Sequence, residues 1–172
     1  MDFVAVAIAA DLVPITDENR TLAFLGLQQI QVASRPGLKA ILRDKTNGQS
    51  ISDVVFGAAP RINAAGRMKH GLHAVELLLS NSEQEAAHIA GEIETFNTSR
   101  KEVEQEITQE ALAQIEANNE EESATSVVFS SNWHKGVIGI VASRLIEKYY
   151  RPTLVFTKAS EGILAASARS VR

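Results

Sequence analysis

Apolar and polar positions divide the 172-residue chain into three stretches of different character. The first opens with Phe3-Val-Ala-Val-Ala-Ile-Ala-Ala10, a short, wholly apolar run ended by Asp11 and Pro14. Such a run reads as a buried strand. A chain that opens inside a core strand is expected to be an interior piece of a longer protein. Asp17-Glu-Asn-Arg20 is polar and suits the start of a helix over Thr21–Val32, where Leu22, Leu25, Leu27 and Ile30 have mixed helical spacing. Arg35-Pro-Gly37 breaks that helix. Short helices are predicted at Leu38–Leu42 and, capped by Ser52, at Asp53–Gly57. Pro60 to Gly66 is rich in small residues and reads as a loop. His73–Leu79 reads as a helix with Ala74, Leu77 and Leu78 on one face.

The middle stretch carries the clearest periodicity. Ser80-Asn-Ser-Glu83 and Ser82-Glu-Gln-Glu85 both have capping-box spacing, and no glycine or proline occurs from Glu92 to Lys135. Ile89, Ile93, Phe96, Val103, Ile107, Ala111 and Ile115 fall three, four or seven apart, a narrow apolar stripe. One helix over Glu83–Ala117 follows, about 50 Å long at ~1.5 Å per residue. So long a helix with so thin a seam suits a connection between two domains, with Asn118–Ser123 as its polar exit. The competing reading is a break at Asn97-Thr-Ser99, three poor helix formers in a row, that folds the halves into a hairpin.

The last stretch alternates strand and helix. Ser126–Ser130 and Pro152–Thr157 read as strands, Gly136–Tyr150 between them as a helix with Val137, Ile140, Val141 and Leu145 facing inward. A β-α-β unit predicts a parallel pair. Leu164–Ser170 reads as the beginning of a third strand.

Composition narrows the class. An apolar fraction of 45% with 22% charged residues is that of a globular chain and excludes a disordered one. No apolar run reaches the ~18–20 residues that span a bilayer, and no membrane partner is expected. There is no cysteine, which excludes disulfides and thiolate metal sites and fits a cytoplasmic location. The net charge of −4 is unevenly spread: Glu83–Glu122 holds twelve acids and two bases, a charge of −10 that leaves +6 elsewhere. A basic remainder is compatible with an anionic ligand such as nucleic acid.

Four clusters carry candidate chemistry, each with a plainer reading beside it. Asp11, beyond the apolar run, is a hard-cation ligand or a cap or turn residue, and taken alone it fits the second better. Pro60-Arg-Ile-Asn-Ala-Ala-Gly-Arg67 sets two guanidinium groups around an amide, suited equally to phosphate oxygens and to surface salt bridges. Asn132-Trp-His-Lys-Gly136 precedes a helix N-terminus, where an anion is favoured; Trp133 either stacks on a base or packs under the loop, the commoner case. Ser167-Ala-Arg-Ser170 has the donors for a phosphate, although such a cluster is common by chance. His70, His73 and His88 read as surface or structural, and Glu120-Glu-Glu122 as a solvated loop.

Taken in order, these segments resemble the RecJ branch of the DHH phosphoesterases. Ala10-Asp-Leu-Val-Pro-Ile15 with Glu18-Asn-Arg20 is similar to the fourth motif of that family. Arg35-Pro-Gly-Leu38, Ala59-Pro-Arg-Ile-Asn-Ala-Ala-Gly-Arg67 and Ala74-Val-Glu-Leu-Leu-Leu79 resemble the segment after it. Trp133-His-Lys-Gly-Val-Ile-Gly-Ile-Val-Ala-Ser-Arg-Leu145 and Ser167-Ala-Arg-Ser170 resemble motifs of the DHH-associated domain.

The resemblance covers nearly the whole chain and implies an α/β fold in three parts. Residues 1–82 would be the C-terminal part of the DHH catalytic domain, 83–122 a connecting helix, and 123–172 the start of the nucleic-acid-binding associated domain. It implies Asp11 as a catalytic ligand of Mn²⁺ or Mg²⁺. Arg61, Asn63, Arg67, His134, Ser167, Arg169 and Ser170 would contact phosphate or DNA, the arginines and His134 facing one cleft. Ala166 and Ala168 stand where the family's last motif has glycines, which puts its loop geometry in question.

The implied activity is 5′→3′ hydrolysis of single-stranded DNA in repair and recombination, with single-strand-binding protein and a helicase as further partners. No Asp-His-His occurs, and Asp2 is the only acid before Asp11, so this chain alone is expected to be inactive. The competing functions are a phosphodiesterase of the same family acting on oligonucleotides or small phosphoesters, and a replication scaffold that has lost catalysis.

Overall fold

The computed structural model describes residues 1–42 and 50–171. The chain divides into two compact units, Met1–Thr98 and Ser99–Arg172. The first is helical: α1 (Asp2–Ala10), α2 (Asp17–Ala33), α3 (Pro36–Leu42), α4 (Ile51–Asp53), a π-helical turn (Val54–Ala58), α5 (Ala59–Met68), α6 (Leu72–Leu79) and the N-terminal half of α7 (Glu83–Ala117). The second holds the C-terminal half of α7, then β1 (Ser126–Ser130), α8 (Ile138–Tyr149), β2 (Thr153–Ser160) and β3 (Ile163–Arg169). Mixed helix and sheet around one long helix is the α/β class expected. Among the described residues no helix is long and apolar enough to cross a membrane.

The opening apolar run is a helix, not a strand. Large and small apolar residues alternate along it, which imitates a period of two, but Ala5, Ala7, Ala9 and Ala10 are the best helix formers. Its buried positions, Asp2, Ala5, Val6, Ile8 and Ala9, are spaced as one helical face. That face lies on α2, where a side chain at Gly26 would come within 2.6 Å of Ala5 Cβ; the missing Cβ lets the helices touch. At the helix start the buried Asp2 accepts hydrogen bonds from Phe3 N–H (2.9 Å) and Arg35 Nε (2.8 Å). Arg35 also lies 4.7 Å from the centre of the Phe3 ring.

Pro60–Gly66 is likewise a helix rather than a loop. Ser50 and Asp53 form a capping box that starts a helical run through Met68, with Ser50, not Ser52, as its cap. Pro60 has no N–H to give the preceding turn, and its ring crowds the carbonyl four residues back. The preceding turn is widened: Ala59 N–H reaches Val54 O, five residues back. The small residues serve packing, since Ala58, Ala59, Ala64 and Ala65 are all buried. The core of this unit gathers Ile30, Leu38, Ile41, Val54, Leu77 and Ile93.

Helix α7 runs unbroken for 35 residues through Asn97-Thr-Ser99, so the hairpin reading fails. Ser82 caps it, accepting from Glu85 N–H at 3.2 Å. Its acids are less solvated than the charge run suggests. Within the first unit, Glu83 pairs with Lys39 and Glu94 with Arg61. Within the second, the buried Glu104 takes both Arg100 (2.7 Å) and Arg144 (3.0 Å), and Glu116 takes Lys148. Hydrogen bonds donated to Glu104, then to Glu147, hold the Arg144 guanidinium above its usual pKa. Each half of the helix is a wall of its own unit.

In the second unit the sheet order is β1-β2-β3. β1 and β2 pair in parallel, as the β-α-β pattern requires, and β2 pairs antiparallel with β3. The β2–β3 turn places Gly162 at φ +72°, a conformation costly for any side chain. Arg151 is 7% exposed and fully used. Its guanidinium donates to Ser126 Oγ (2.7 Å) and to the carbonyls of Glu120, Glu121 and Ser123, and lies 4.7 Å from the centre of the Tyr149 ring. One side chain thus ties the exit of α7 to the first residue of β1 and the end of α8.

Two outcomes are expected. Arg151→Ala removes the donor to the buried Ser126 hydroxyl and to three part-buried carbonyls and should cost about 1–3 kcal/mol. Arg151→Lys should recover only part, because an ammonium cannot fork to four acceptors. Urea unfolding followed by Trp133, the only tryptophan, reads this in the second unit. The second outcome concerns acid. Burial pushes the Asp2 carboxyl upward, but the Phe3 N–H, Arg35 and the N-terminal ammonium outweigh it, and its pKa is lowered. The folded state therefore binds fewer protons than the unfolded chain. The stability is complete above the ordinary aspartate value of ~3.9 and is lost as pH falls through the lower folded value. Urea midpoints against pH, by circular dichroism, should show this acid limb in the wild type and lack it in Asp2→Asn.

Candidate functional site

Within the first unit, Asp11 is the C-cap residue of α1, exposed, with its N–H on Ala7 O. It does not stand at a strand end, because α1 is not a strand. The turn after it carries the next residue, Leu12, into left-handed backbone at φ +52°. Asp11 lines an open hollow of 660 Å³ together with Asn19 and Asn63, over an apolar floor that includes Phe3, Ala7 and Ile8. Asp11 and Asn63, about fifty positions apart, are thereby brought to one place. Asn19 joins them unforeseen; its place in a polar run at a helix start resembled an ordinary cap.

The three polar residues of α5 separate. Asn63 and Arg67, four apart, share the exposed side of the helix. Arg61 points the other way: its Nε donates to Glu94 Oε2 of α7 and its Nη1 to Gly57 O, with the side chain only 18% exposed. Arg61 thus clamps α5 to α7 and steadies the widened turn, while Asn63 and Arg67 face outward.

Within the second unit, His134 lies half-buried in the β1–α8 connection. Its Nδ1 accepts Gly136 N–H at 3.2 Å, so the neutral ring carries its proton on Nε2, where it is available as a donor. Trp133 is buried and packs under the loop, its Nε1 donating to Glu110 at 2.6 Å and its carbonyl accepting from Thr157 Oγ1. It therefore does not present a face for a base to stack on. These two bonds fix the loop on both sides of His134.

Ser167 and Arg169 occupy alternate positions on β3, hence the same face. Arg169 Nη1 donates to Ser167 Oγ at 3.2 Å and to Ala168 O at 2.8 Å. Both side chains lie against Gly139 in the first turn of α8. Ser170 follows the strand, exposed, its hydroxyl donating to Val171 O. Ala166 and Ala168 are regular strand residues paired with Phe156 and Leu154, an extended backbone that alanine adopts as readily as glycine.

The donor set does not amount to a metal centre. Among the described residues no group of three or more His, Asp or Glu side chains comes together, and Asp11 is the one carboxylate lining its hollow. One carboxylate with two amides does not by itself fix the pair of divalent ions that a two-metal hydrolysis uses.

No family model matches the chain. The single-stranded-DNA-specific exonuclease RecJ of Bacillus subtilis is 40% identical over all of this chain, which spans 22% of that protein. The Escherichia coli protein of the same name is 37% identical, again over the whole chain and 31% of its own length. The chain matches a segment of RecJ. A crystal structure of RecJ from Thermus thermophilus in complex with Mn²⁺ superimposes with a TM-score of 0.87 at 32% identity, over 99% of this chain and 25% of that one. A structure of exonuclease RecJ bound to manganese gives a TM-score of 0.85 over 42% of its length. The chain thus spans roughly a fifth to a third of the curated RecJ relatives it matches. The fold expected from the motifs is the fold of the RecJ segment on which the chain superimposes.

The contrast within α5 is testable by melting. Arg61→Ala breaks a half-buried ion pair and should cost about 1–3 kcal/mol. Arg67→Ala, on the exposed face, should cost less, at most about 1 kcal/mol. Equal losses would show that both arginines hold the helix.

Proposed function

We propose that the protein carrying this segment is a single-stranded-DNA-specific exonuclease that degrades DNA 5′→3′ in repair and recombination, using Mn²⁺ or Mg²⁺. The reading rests on the RecJ match, and the observation in this chain that carries it is the pairing of Asp11 with Asn63 on one hollow. Residues 1–82 are assigned to the catalytic domain, 83–122 to the connecting helix and 123–172 to the associated domain. Asp11 contributes one oxygen ligand to the metals, whose remaining ligands lie outside this segment. When bound, the metals supply Lewis-acid activation and neutralise charge on the phosphoryl group.

The residues present here bind and orient. Arg67 and Arg169 offer forked donors to phosphate oxygens, Asn63, Ser167 and Ser170 neutral ones, and His134 its Nε2–H. Arg61 acts by holding α5 in place rather than by touching the strand. A cytoplasmic location, with single-strand-binding protein and a helicase as partners, accords with that role.

The test compares three proteins on labelled single-stranded DNA with Mn²⁺. The full-length protein should degrade it. Its Asp11→Ala variant should lose at least about a hundredfold in rate, the order expected when metal ligation is disturbed. The 172-residue chain alone should leave the DNA intact, having one ligand carboxylate. Intact DNA with the full-length protein would favour the scaffold reading, and cleavage by the short chain would overturn the ligand assignment.

A further inference from the structure

Helix α8 contains a glycine that local backbone geometry does not require. Gly139 is the second residue of α8, with an ordinary helical φ, so a side chain there meets no backbone strain. Helix propensity favours alanine at such a position. The space beside it is what a methyl group would crowd. A Cβ on residue 139 would lie 3.1 Å from Ser167 Oγ and 3.2 Å from Arg169 Nη2, tighter than these atoms normally approach a methyl group. Ser167 and Arg169 are joined to each other by the 3.2 Å hydrogen bond, so both would be displaced together. By contrast, Gly57, Gly66, Gly71 and Gly91 have no such neighbours.

We propose that Gly139 is a positioning residue for the Ser167–Arg169 pair: its bare Cα lets the hydroxyl and the guanidinium lie against the first turn of α8, where together they grip a phosphate of the strand. This rests on the assignment of Ser167 and Arg169 to phosphate binding. The grip needs the guanidinium fork and the hydroxyl held in one fixed relation, since bidentate contacts lose strength quickly with misplacement. A methyl group at residue 139 would push the hydrogen-bonded hydroxyl and guanidinium by a few tenths of an ångström from this relation.

The experiment is a double-mutant cycle in the full-length protein, with Gly139→Ala, Arg169→Ala and the double variant. Each is assayed for binding of a fluorescent 5′-phosphorylated oligothymidylate without divalent metal, and for thermal melting. Gly139→Ala should melt at or above the wild-type temperature yet bind about three- to tenfold more weakly, the effect of disturbing one charge-assisted contact. In the Arg169→Ala background, where the space is vacated, the same substitution should cost much less, a coupling that a general packing defect would not produce.

Wild-type binding by Gly139→Ala, with binding lost in Arg169→Ala, would refute the positioning role and leave the phosphate assignment standing. Wild-type binding by Arg169→Ala would instead refute the phosphate assignment itself. A lowered melting temperature with the same loss of binding in both backgrounds would make Gly139 a packing residue and overturn the inference.

Discussion

Both compact units are built against α7, and its length of 35 residues without interruption is the constraint on which the rest depends. The helix satisfies two cores with one seam. Ala86 and Ile93 are buried in the first unit; Ile107, Ala111 and Ile115 are buried in the second. Between these sets the seam turns polar at Asn97 and Glu104, both buried. A helix whose stripe changes in this way needs partners for its acids, and each unit supplies them from its own elements: Lys39 and Arg61 in one, Arg144 and Lys148 in the other. Loss of those cations would leave a helix carrying strong like-charge repulsion along its length.

The same economy governs the site residues. In α5 the small side chains allow close packing, and the two arginines divide the work. Arg61 is spent on Glu94, and that clamp is what keeps the opposite face, with Asn63 and Arg67, turned outward. In the second unit Arg151 plays the comparable role, drawing the carbonyls after α7 onto the start of β1, while Arg169 at the end of β3 stays exposed. An arginine in a motif with phosphate-binding chemistry is therefore not by itself a phosphate contact. Its carboxylate and carbonyl neighbours decide whether its donors are available.

The chain spans only part of its RecJ relatives, and the arrangement of its polar groups is consistent with that. Asp11 lines a hollow whose walls are mostly apolar and, among the described residues, contribute no second carboxylate. Asp11, Asn19 and Asn63 share that hollow, while Ser167 and Arg169 share one face of β3.

What the sequence determined by itself was whatever depended on long periodicity or on a punctuated local signal. The α7 stripe, the β-α-β alternation and the parallel pairing all repeat a spacing over enough residues to exclude the competing period, whereas of the two capping boxes before α7 only the structure selects Ser82. The motif residues were legible for the same reason: arginine, asparagine and histidine stand out against small or apolar neighbours. Short segments without polar contrast were not legible. Phe3–Ala10 alternates large and small apolar residues, and only its packing on Gly26 of α2 selects helix over strand. Pro60–Gly66 has loop-like composition, and only a widened turn before Pro60, braced by Arg61, makes it helical. Tertiary structure alone decided which arginines are spent on packing, that Asn19 joins Asp11, and that Gly139 lies under Ser167 and Arg169. Those facts depend on how separate elements pack on one another, and local spacing carries no information about that.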